Sequence, residues 1–299
     1  MQITLGPVLF NWPAETWRDF HYAMADEEAI DNVVIGEIVC SKRRPFIAPY
    51  IEPVIDRLRA GGKNVLLGSL IMPTLERERR ETELLARGAA LPVEANDVSC
   101  LSHLAGRPHA VGPSVNVYNE ATARYLAGRG AERICLPQEL PLRAIAAIAA
   151  AVPQTAVEVQ AFGRVPLAIS ARCYHARLHD LTKDNCRFVC EKDPDGLAID
   201  TLDGKGFLAM NGVQTMSHTC LNLLGEIPAL AEAGIAAIRL SPQTCDMAGV
   251  ARIFRAAVKG EFERPLLEDK LRELCPGFAF SNGFLHGREG AAFIETPAA

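Results

Sequence analysis

Short apolar stretches alternate with amphipathic ones along most of the chain. The apolar stretches are rich in Val, Ile and Leu, which is typical of strands that are buried on both faces of a sheet. In the first unit, the apolar residues Trp17, Phe20 and Met24 follow the strand at helical spacing. The predicted strands are Gln2–Val8, Asn32–Val39, Asn64–Leu70, Leu91–Asn96, Ser114–Asn119, Arg133–Pro137, Ala156–Phe162 and Ala236–Leu240.

A helix is predicted after each strand. The helix over Thr74–Arg87 has a heavily charged outer face and stops before Gly88, and the one over Met247–Lys259 stops before Gly260. Glycine is favoured just beyond a helix end because it adopts the left-handed turn there without steric cost. The other predicted helices cover Pro49–Arg59, Val98–Ala105, Glu120–Ala127, Leu142–Ala151 and Cys220–Ala233.

Eight strand-then-helix units predict an α/β fold of the TIM-like (β/α)8 barrel type, as a single domain over residues 1–299. No Gly-x-Gly-x-x-Gly follows the first strand, which argues against an open dinucleotide-binding sheet. The connection between strands 7 and 8 is long, and residues 170–216 are predicted to form an inserted cysteine-rich loop and hairpin. Such insertions at the carboxyl ends of barrel strands usually carry function. Residues 296–299 are expected to fray.

Charge and hydropathy exclude several classes of protein. The chain has 31 Lys and Arg against 36 Asp and Glu, a net charge of −5, and no basic arm that would bind nucleic acid. The N-terminal residues lack the pattern of a signal peptide, and the longest apolar run, Ala144–Pro153, is too short to cross a bilayer. We therefore expect a cytoplasmic protein without a transmembrane segment.

Clustered cysteines in a cytoplasmic protein indicate metal or redox chemistry, because disulfides rarely persist there. Cys173, Cys186 and Cys190 lie in the polar loop after the seventh strand, and Cys40 ends the second strand. All four are therefore expected at the same face of the barrel, and the chain between them is long enough to let them meet. The remaining cysteines are predicted to be core or surface filler: Cys100, Cys135, Cys220, Cys245 and Cys275.

Four thiolates suit either tetrahedral zinc or an iron–sulfur cluster. Structural zinc commonly uses two short Cys-x2–4-Cys pairs, and only Cys186 and Cys190 form one here, which favours a cluster. A different zinc site would combine Cys173 with His175 and His179, which are spaced i, i+4. A solvated loop with incidental thiols is the third interpretation. Cations that flank the ligands and would offset their charge are Arg172, Arg177, Lys183, Arg187 and Lys192.

The spacing of Glu158 and Gly163, with Ser170 and Cys173 downstream, resembles the signature of the collagenase-like family of unassigned peptidases. Three positions depart from that signature, which has a Phe, a further Cys and a Gly where this chain has Gln160, Pro166 and Ala171. These departures weaken any assignment of peptidase activity.

The segment FGRVPLAISARC at residues 162–173, with the two cysteines downstream and a cysteine after GEIV, resembles a branch of that family. This branch serves oxygen-independent ubiquinone biosynthesis in proteobacteria. The resemblance implies one [4Fe-4S] cluster bound by Cys40, Cys173, Cys186 and Cys190. It also implies a heterodimer with the sister protein UbiU, needed to hydroxylate the ring of a ubiquinone precursor without O2, with prephenate as the oxygen donor. The chain would then be a subunit of an anaerobic ring hydroxylase, and the role of its cluster is left open.

Two further functions stay open. A peptidase would need a nucleophile with a base, or an open metal site; Glu37 and Glu158 are candidate acids, although buried, hydrogen-bonded carboxylates are the expected alternative. A zinc-stabilised binding module would need no chemistry. Arginine suits bidentate capture of a carboxylate such as that of prephenate. The strand-end groups that could line a substrate pocket are Asn116, Tyr118, Asn119, Gln138, Arg164 and Arg239. A surface salt bridge is the commoner role of a lone arginine, so none of these residues is assigned.

Overall fold

The structure is a computed structural model that describes residues 1–261 and 263–295, so the tail expected to fray lies outside the described residues. Eight parallel strands pair in sequence order, and the last pairs with the first, which closes the ring. The predicted (β/α)8 barrel is thus confirmed. The barrel strands are β1 (Gln2–Leu5), β2 (Asn32–Ile35), β3 (Asn64–Gly68), β4 (Val93–Ala95), β5 (His109–Val111), β6 (Ala131–Cys135), β7 (Ala156–Ile169) and β11 (Ala237–Leu240).

Helices pack around the ring through apolar stripes. In the helix Met247–Lys259, Val250, Ile253 and Phe254 are buried at helical spacing, and the Phe254 ring lies 6.1 Å from that of Phe162 in β7. No described helix is long and apolar enough to span a membrane. The helices are α1 (Ala14–Ala25), α2 (Arg44–Ala60), α3 (Glu76–Gly88), α4 (Val98–Leu104), α5 (Glu120–Ala127), α6 (Leu142–Ala151), α7 (Tyr174–Arg177), α8 (Ile227–Glu232), α9 (Met247–Lys259) and α10 (Arg264–Leu274).

The strand β7 leaves the barrel and continues into a second, antiparallel sheet. Gly163 marks the exit, since its φ is +101° and an added Cβ would lie 2.6 Å from the Ser241 carbonyl oxygen. The extension to Ile169 pairs antiparallel with β10, which also pairs with β9, and β9 pairs with β8. The strands outside the ring are β8 (Leu197–Asp200), β9 (Gly206–Asn211), β10 (Gln214–Asn222) and β12 (Phe280–Ser281).

The prediction of the fifth strand over Ser114–Asn119 is wrong, because the strand is β5, which ends at Val111. Residues Pro113–Val115 form a 3-10 turn, and Asn116 follows with a left-handed φ of 62°. The Asn119 side chain accepts the Thr122 N–H and caps α5. Polar and apolar residues alternate here because of these turn and cap roles, not because of a pleated strand.

The prediction of a helix over Cys220–Ala233 is wrong for the first half of that range. Gln214–Asn222 is the strand β10, held by pairing with the β7 extension, and the helix α8 begins only at Ile227. The hairpin predicted in the insertion is therefore part of a larger antiparallel sheet that runs from β7 to β10. Pairing between distant segments has overridden local preference here.

Candidate functional site

Four cysteines from separate segments line one cavity on the side of the barrel where the parallel strands end. Cys40 lies between β2 and α2, Cys173 directly precedes α7, Cys186 lies in the next loop, and Cys190 lies in the 3-10 turn Val189–Lys192. Cys173 and Cys190 are buried and the other two are half-buried. The four cysteines thus lie together, as their spacing in the sequence permits. Their binding of a metal ion or cluster stays a prediction.

Backbone hydrogen bonds position two of the thiols. The Glu37 carboxylate accepts the N–H groups of Val39 at 2.8 Å and Cys40 at 2.9 Å, which folds the loop after β2 back on itself. The Cys173 Sγ accepts the N–H of Ala176 at 3.4 Å in the first turn of α7. An N–H donor stabilises a thiolate more than a thiol, so this contact prepares Cys173 for a cation.

Burial raises the pKa of the Cys40 thiol and the pKa of the Cys173 thiol. The guanidinium of Arg43 and nearby backbone N–H groups oppose that effect without reversing it. Thiols bind metals as thiolates, so a bound cation would have to supply the missing stabilisation.

Two cations line the cavity from the segment after Cys40. The Lys42 Nζ lies 3.6 Å from the Cys186 Sγ and donates to the carbonyl oxygens of Lys183 at 2.6 Å and Asp184 at 3.1 Å. These three contacts tie the β2–α2 loop to the loop that carries Cys186.

Arg43 is the second of these cations and is buried. Its Nη atoms donate to the Leu9 carbonyl oxygen and the Asn211 Oδ1, while its Nε has no hydrogen-bond partner. Burial alone would lower the pKa of Arg43, but Glu37, Cys190 and Cys40 outweigh burial and raise that pKa. A buried guanidinium with an unused donor calls for an anion, and anionic thiolate ligands in this cavity fit that requirement.

The separation of the sulfur atoms distinguishes the two metal interpretations. A tetrahedral zinc with Zn–S bonds of about 2.3 Å would place its sulfur ligands roughly 3.8 Å apart. Across the described residues, no three cysteines have sulfur atoms that all lie within 4.8 Å of one another. A four-iron cluster holds its ligands farther apart, because each thiolate bonds a different iron. The spacing of the four cysteines does not match a preformed tetrahedral zinc site and is compatible with a cluster.

The alternative zinc ligands do not join Cys173. The helix α7 ends at Arg177, so the i, i+4 spacing of His175 and His179 is not set by a continuous helix. The two rings stack beside Asp193, and the three ligand atoms lie within 4.8 Å of one another.

The cations that line the cysteine cavity are mostly not those expected from the sequence. Among the five flanking cations named from the sequence, only Lys183 lines the cavity. Lys42 and Arg43 were missed, although the run Ser-Lys-Arg-Arg directly after Cys40 was a visible signal for them.

A second cavity of about 240 Å³ lies near the barrel mouth. Asn116, Tyr118 and Gln138 line it as expected, whereas Asn119 caps α5 instead. The Tyr118 hydroxyl donates to Glu139. Burial and, to a lesser extent, this acidic partner raise the pKa of Tyr118 to about 12. Its lining combines apolar side chains, neutral polar groups and the Glu139 carboxylate, and no Lys or Arg of the described residues lines it.

The two arginines at strand ends, which the sequence left unassigned, are both occupied. Arg239 is buried and donates to Glu158 at 2.6 Å and to both carboxylate oxygens of Glu94. Arg164 donates to the backbone carbonyl oxygens of Ser217 and His218. Both guanidinium groups therefore serve the fold.

Glu158 is the carboxylate at the centre of this network. Burial would raise its pKa, but Arg239 and Arg133 outweigh burial and hold the pKa of Glu158 at about 2. Glu37 binds the backbone of its own loop. Both carboxylates are thus engaged in structural hydrogen bonds, Glu158 with its arginines and Glu37 with backbone N–H groups.

Comparison with known proteins gives several similar structures and a family. Similar structures include the U32 peptidase Mk0906, with 14% identity over 81% of this chain and 93% of that chain and a TM-score of 0.44. A member of the dihydrodipicolinate synthase family from Coccidioides immitis has 12% identity over 93% and 79%, with a TM-score of 0.39. D-psicose 3-epimerase from Clostridium cellulolyticum H10 has 9% identity over 92% and 97%, with a TM-score of 0.33.

The sequence profile of peptidase family U32 matches residues 15–294, nearly the whole chain. This is the family that the spacing around Glu158 and Cys173 resembles. The chain belongs to peptidase family U32.

Proposed function

We propose that this protein is the iron–sulfur subunit of an O2-independent ubiquinone ring hydroxylase, a U32 family member of the UbiV type with UbiU as its heterodimer partner. Cys40, Cys173, Cys186 and Cys190 would hold one [4Fe-4S] cluster. The observation that carries the proposal is the single cavity lined by these four cysteines, with the unpaired Nε of buried Arg43 beside them.

The chemistry of the donor set supports a role in electron transfer or in structure. A cluster with four cysteine ligands supplies one-electron chemistry and leaves no iron position open for a substrate. The residues of this chain would hold the cluster, screen its charge through Lys42 and Arg43, and fix the loop around it through the backbone contacts of Lys42.

The second cavity, near the barrel mouth, suits the aromatic ring of the ubiquinone precursor better than it suits prephenate. Its apolar and polar lining, which includes the Glu139 carboxylate, can accept a ring with hydroxyl substituents. Its lining carries no cation for the carboxylates of prephenate. We therefore assign the aromatic ring, and not the oxygen donor, to this cavity.

The cluster is tested by anaerobic purification, followed by visible absorbance and by iron and sulfide assays. Wild type is expected to be brown with about four irons per chain. The Cys186→Ala/Cys190→Ala variant should lose colour and iron, while Cys245→Ala, which removes a thiol outside the cavity, should keep both. A colourless wild type under strict anaerobiosis would refute the cluster.

The activity is tested by combining the purified protein with UbiU, a ubiquinone precursor and prephenate without O2. Hydroxylated product is expected with wild type and is expected to be absent with the double cysteine variant. Failure of a cluster-loaded pair to form product would refute the hydroxylase role. Peptide cleavage that persists without UbiU and without the cluster would establish a peptidase instead.

A further inference from the structure

Three potential metal ligands converge beside the cysteine cavity: His175, His179 and Asp193. One ligand atom of each lies within 4.8 Å of the other two. His175 is buried, Asp193 is half-buried and His179 is exposed. The imidazole rings are nearly parallel at 17°, with centroids 5.7 Å apart. The three residues therefore form a compact group with one side open to solvent.

Both nitrogens of His175 face hydrogen-bond acceptors. The Nδ1 lies 3.1 Å from the Met210 carbonyl oxygen, and the Nε2 lies 2.9 Å from the Asp193 Oδ2. A neutral ring carries a single hydrogen, and placing it on the Nδ1 satisfies the Met210 carbonyl oxygen, which can only accept. In the neutral ring, the Nε2 lone pair would then point at a carboxylate, which is repulsive. A cation between the Nε2 and Asp193, either a proton or a metal ion, resolves the conflict.

The position of His179 favours a metal ion over a proton. A proton needs only the two atoms it joins, whereas a metal ion recruits a third ligand. Histidine ligands usually donate their second ring N–H to a carbonyl or carboxylate, as His175 donates to Met210. Metal–ligand bonds of about 2.0–2.1 Å place tetrahedral ligands roughly 3.3 Å apart, so the exposed ring of His179 would have to move by no more than about 1.5 Å.

We propose that His175, His179 and Asp193 bind a divalent first-row metal ion such as zinc, through two imidazole nitrogens and one carboxylate oxygen. Water completes the coordination. The metal ion closes the segment between His175 and Asp193, which carries Cys186 and Cys190, and so stabilises the wall of the cysteine cavity. The inference stands independently of the proposed function, because no thiol takes part.

The test counts zinc and iron separately. Protein purified anaerobically is incubated with zinc, freed of unbound metal by gel filtration, and assayed for zinc and iron per chain. Wild type is expected to hold one zinc in addition to its iron. The His179→Ala and Asp193→Asn variants should bind zinc at least tenfold more weakly and keep their iron. The half-buried His103, on α4, provides the matched control His103→Ala, which should bind zinc like wild type.

The cysteine variant separates this site from the thiols. Cys186→Ala/Cys190→Ala should lose iron and keep zinc. Absence of zinc from wild type, undiminished zinc affinity in His179→Ala, or loss of zinc with the cysteines would each overturn the proposal. Zinc should also slow proteolysis of the loop in wild type and not in His179→Ala, and equal cleavage rates in the two proteins would refute the stabilising role.

Discussion

At the scale of single residues, two consecutive cations set the electrostatics of the cysteine cavity. Lys42 contacts the Cys186 Sγ and two backbone carbonyl oxygens, and the buried Arg43 has its Nε unused. Neither carries a sequence signal beyond its position after Cys40. A positive charge near a thiolate-bound cluster favours the reduced, more negative state, so these residues should raise its reduction potential.

Replacement of Lys42 with Met should therefore lower the midpoint potential of the cluster. For a unit charge about 5 Å away, Coulomb's law gives about 1–3 kcal/mol, or roughly 40–140 mV, for effective dielectric constants between 80 and 20. The measurement is a redox titration followed by EPR. The matched control is Lys192→Met, which removes the same charge from an exposed residue. Equal shifts in both variants would contradict a local role for Lys42.

At the scale of elements, the departure of β7 from the barrel places the cysteine loop. The strand crosses from the ring into the antiparallel sheet at Gly163, and Cys173 follows four residues after its end at Ile169. The left-handed φ and the nearby Ser241 carbonyl oxygen leave no room for a Cβ. The position of one glycine thus couples the barrel to the candidate cluster site.

The Gly163→Ala variant should be destabilised by about 2 kcal/mol or more, because it strains the backbone and clashes with Ser241. Urea unfolding measures the loss, and cluster absorbance should fall in the same protein. Gly88→Ala is the control, since nothing lies within 4 Å of its added Cβ, and it should change stability by less than about 1 kcal/mol. Similar stability of the two variants would refute the proposed constraint.

At the scale of the whole molecule, a buried charge network joins strands from opposite parts of the barrel. Arg239 of β11 binds Glu94 of β4 and Glu158 of β7, and Glu158 also binds Arg133 of β6 at 2.7 Å. Removal of one partner from such a network leaves an uncompensated buried charge. The network is therefore expected to contribute to stability and not to substrate binding.

Replacement of Arg239 with Met should cost about 3–5 kcal/mol of unfolding free energy, because Glu94 loses its cation and Glu158 loses one of two. Arg18→Met, which breaks a surface pair with Asp19 and a contact with the Tyr50 ring, should have a much smaller effect on stability. Chemical denaturation at pH 7 compares the two. A cost for Arg239→Met no larger than that of the surface variant would show that the network is dispensable.

Acid should destabilise the fold in two steps. Burial lowers the pKa of His21 to about 4, below its ordinary 6.5, so its contribution is present above pH 6.5 and is lost as the pH falls towards 4. The pKa of Glu158, about 2 against an ordinary 4.5, gives a contribution that is present above pH 4.5 and lost towards pH 2. Each step amounts to roughly 3 kcal/mol.

The steps are measured by urea unfolding between pH 8 and pH 2, on the Cys186→Ala/Cys190→Ala background so that loss of a cluster does not interfere. The His21→Leu variant should show a smaller step between pH 6.5 and pH 4 and keep the lower one. An unchanged pH profile in that variant would assign the upper step to another group.

The sequence by itself determined the barrel and the cysteines of the candidate site. Alternating apolar and amphipathic stretches are local patterns. Strands buried on both faces are continuous apolar runs, so they can be recognised from the sequence alone. The shared face of Cys40 and Cys173 followed from strand order alone, since parallel strands all end on one side of a barrel.

Only the tertiary structure decided the features that depend on partners distant in sequence. Residues 220–222 form a strand because β7 extends to pair with them. Arg239, which stands at a strand end in the sequence, forms an ion pair with Glu94, 145 residues away. The grouping of His175 with Asp193 instead of Cys173 depends on how the loop folds back. In each case the decisive energy comes from a long-range contact, and a local sequence pattern does not encode it.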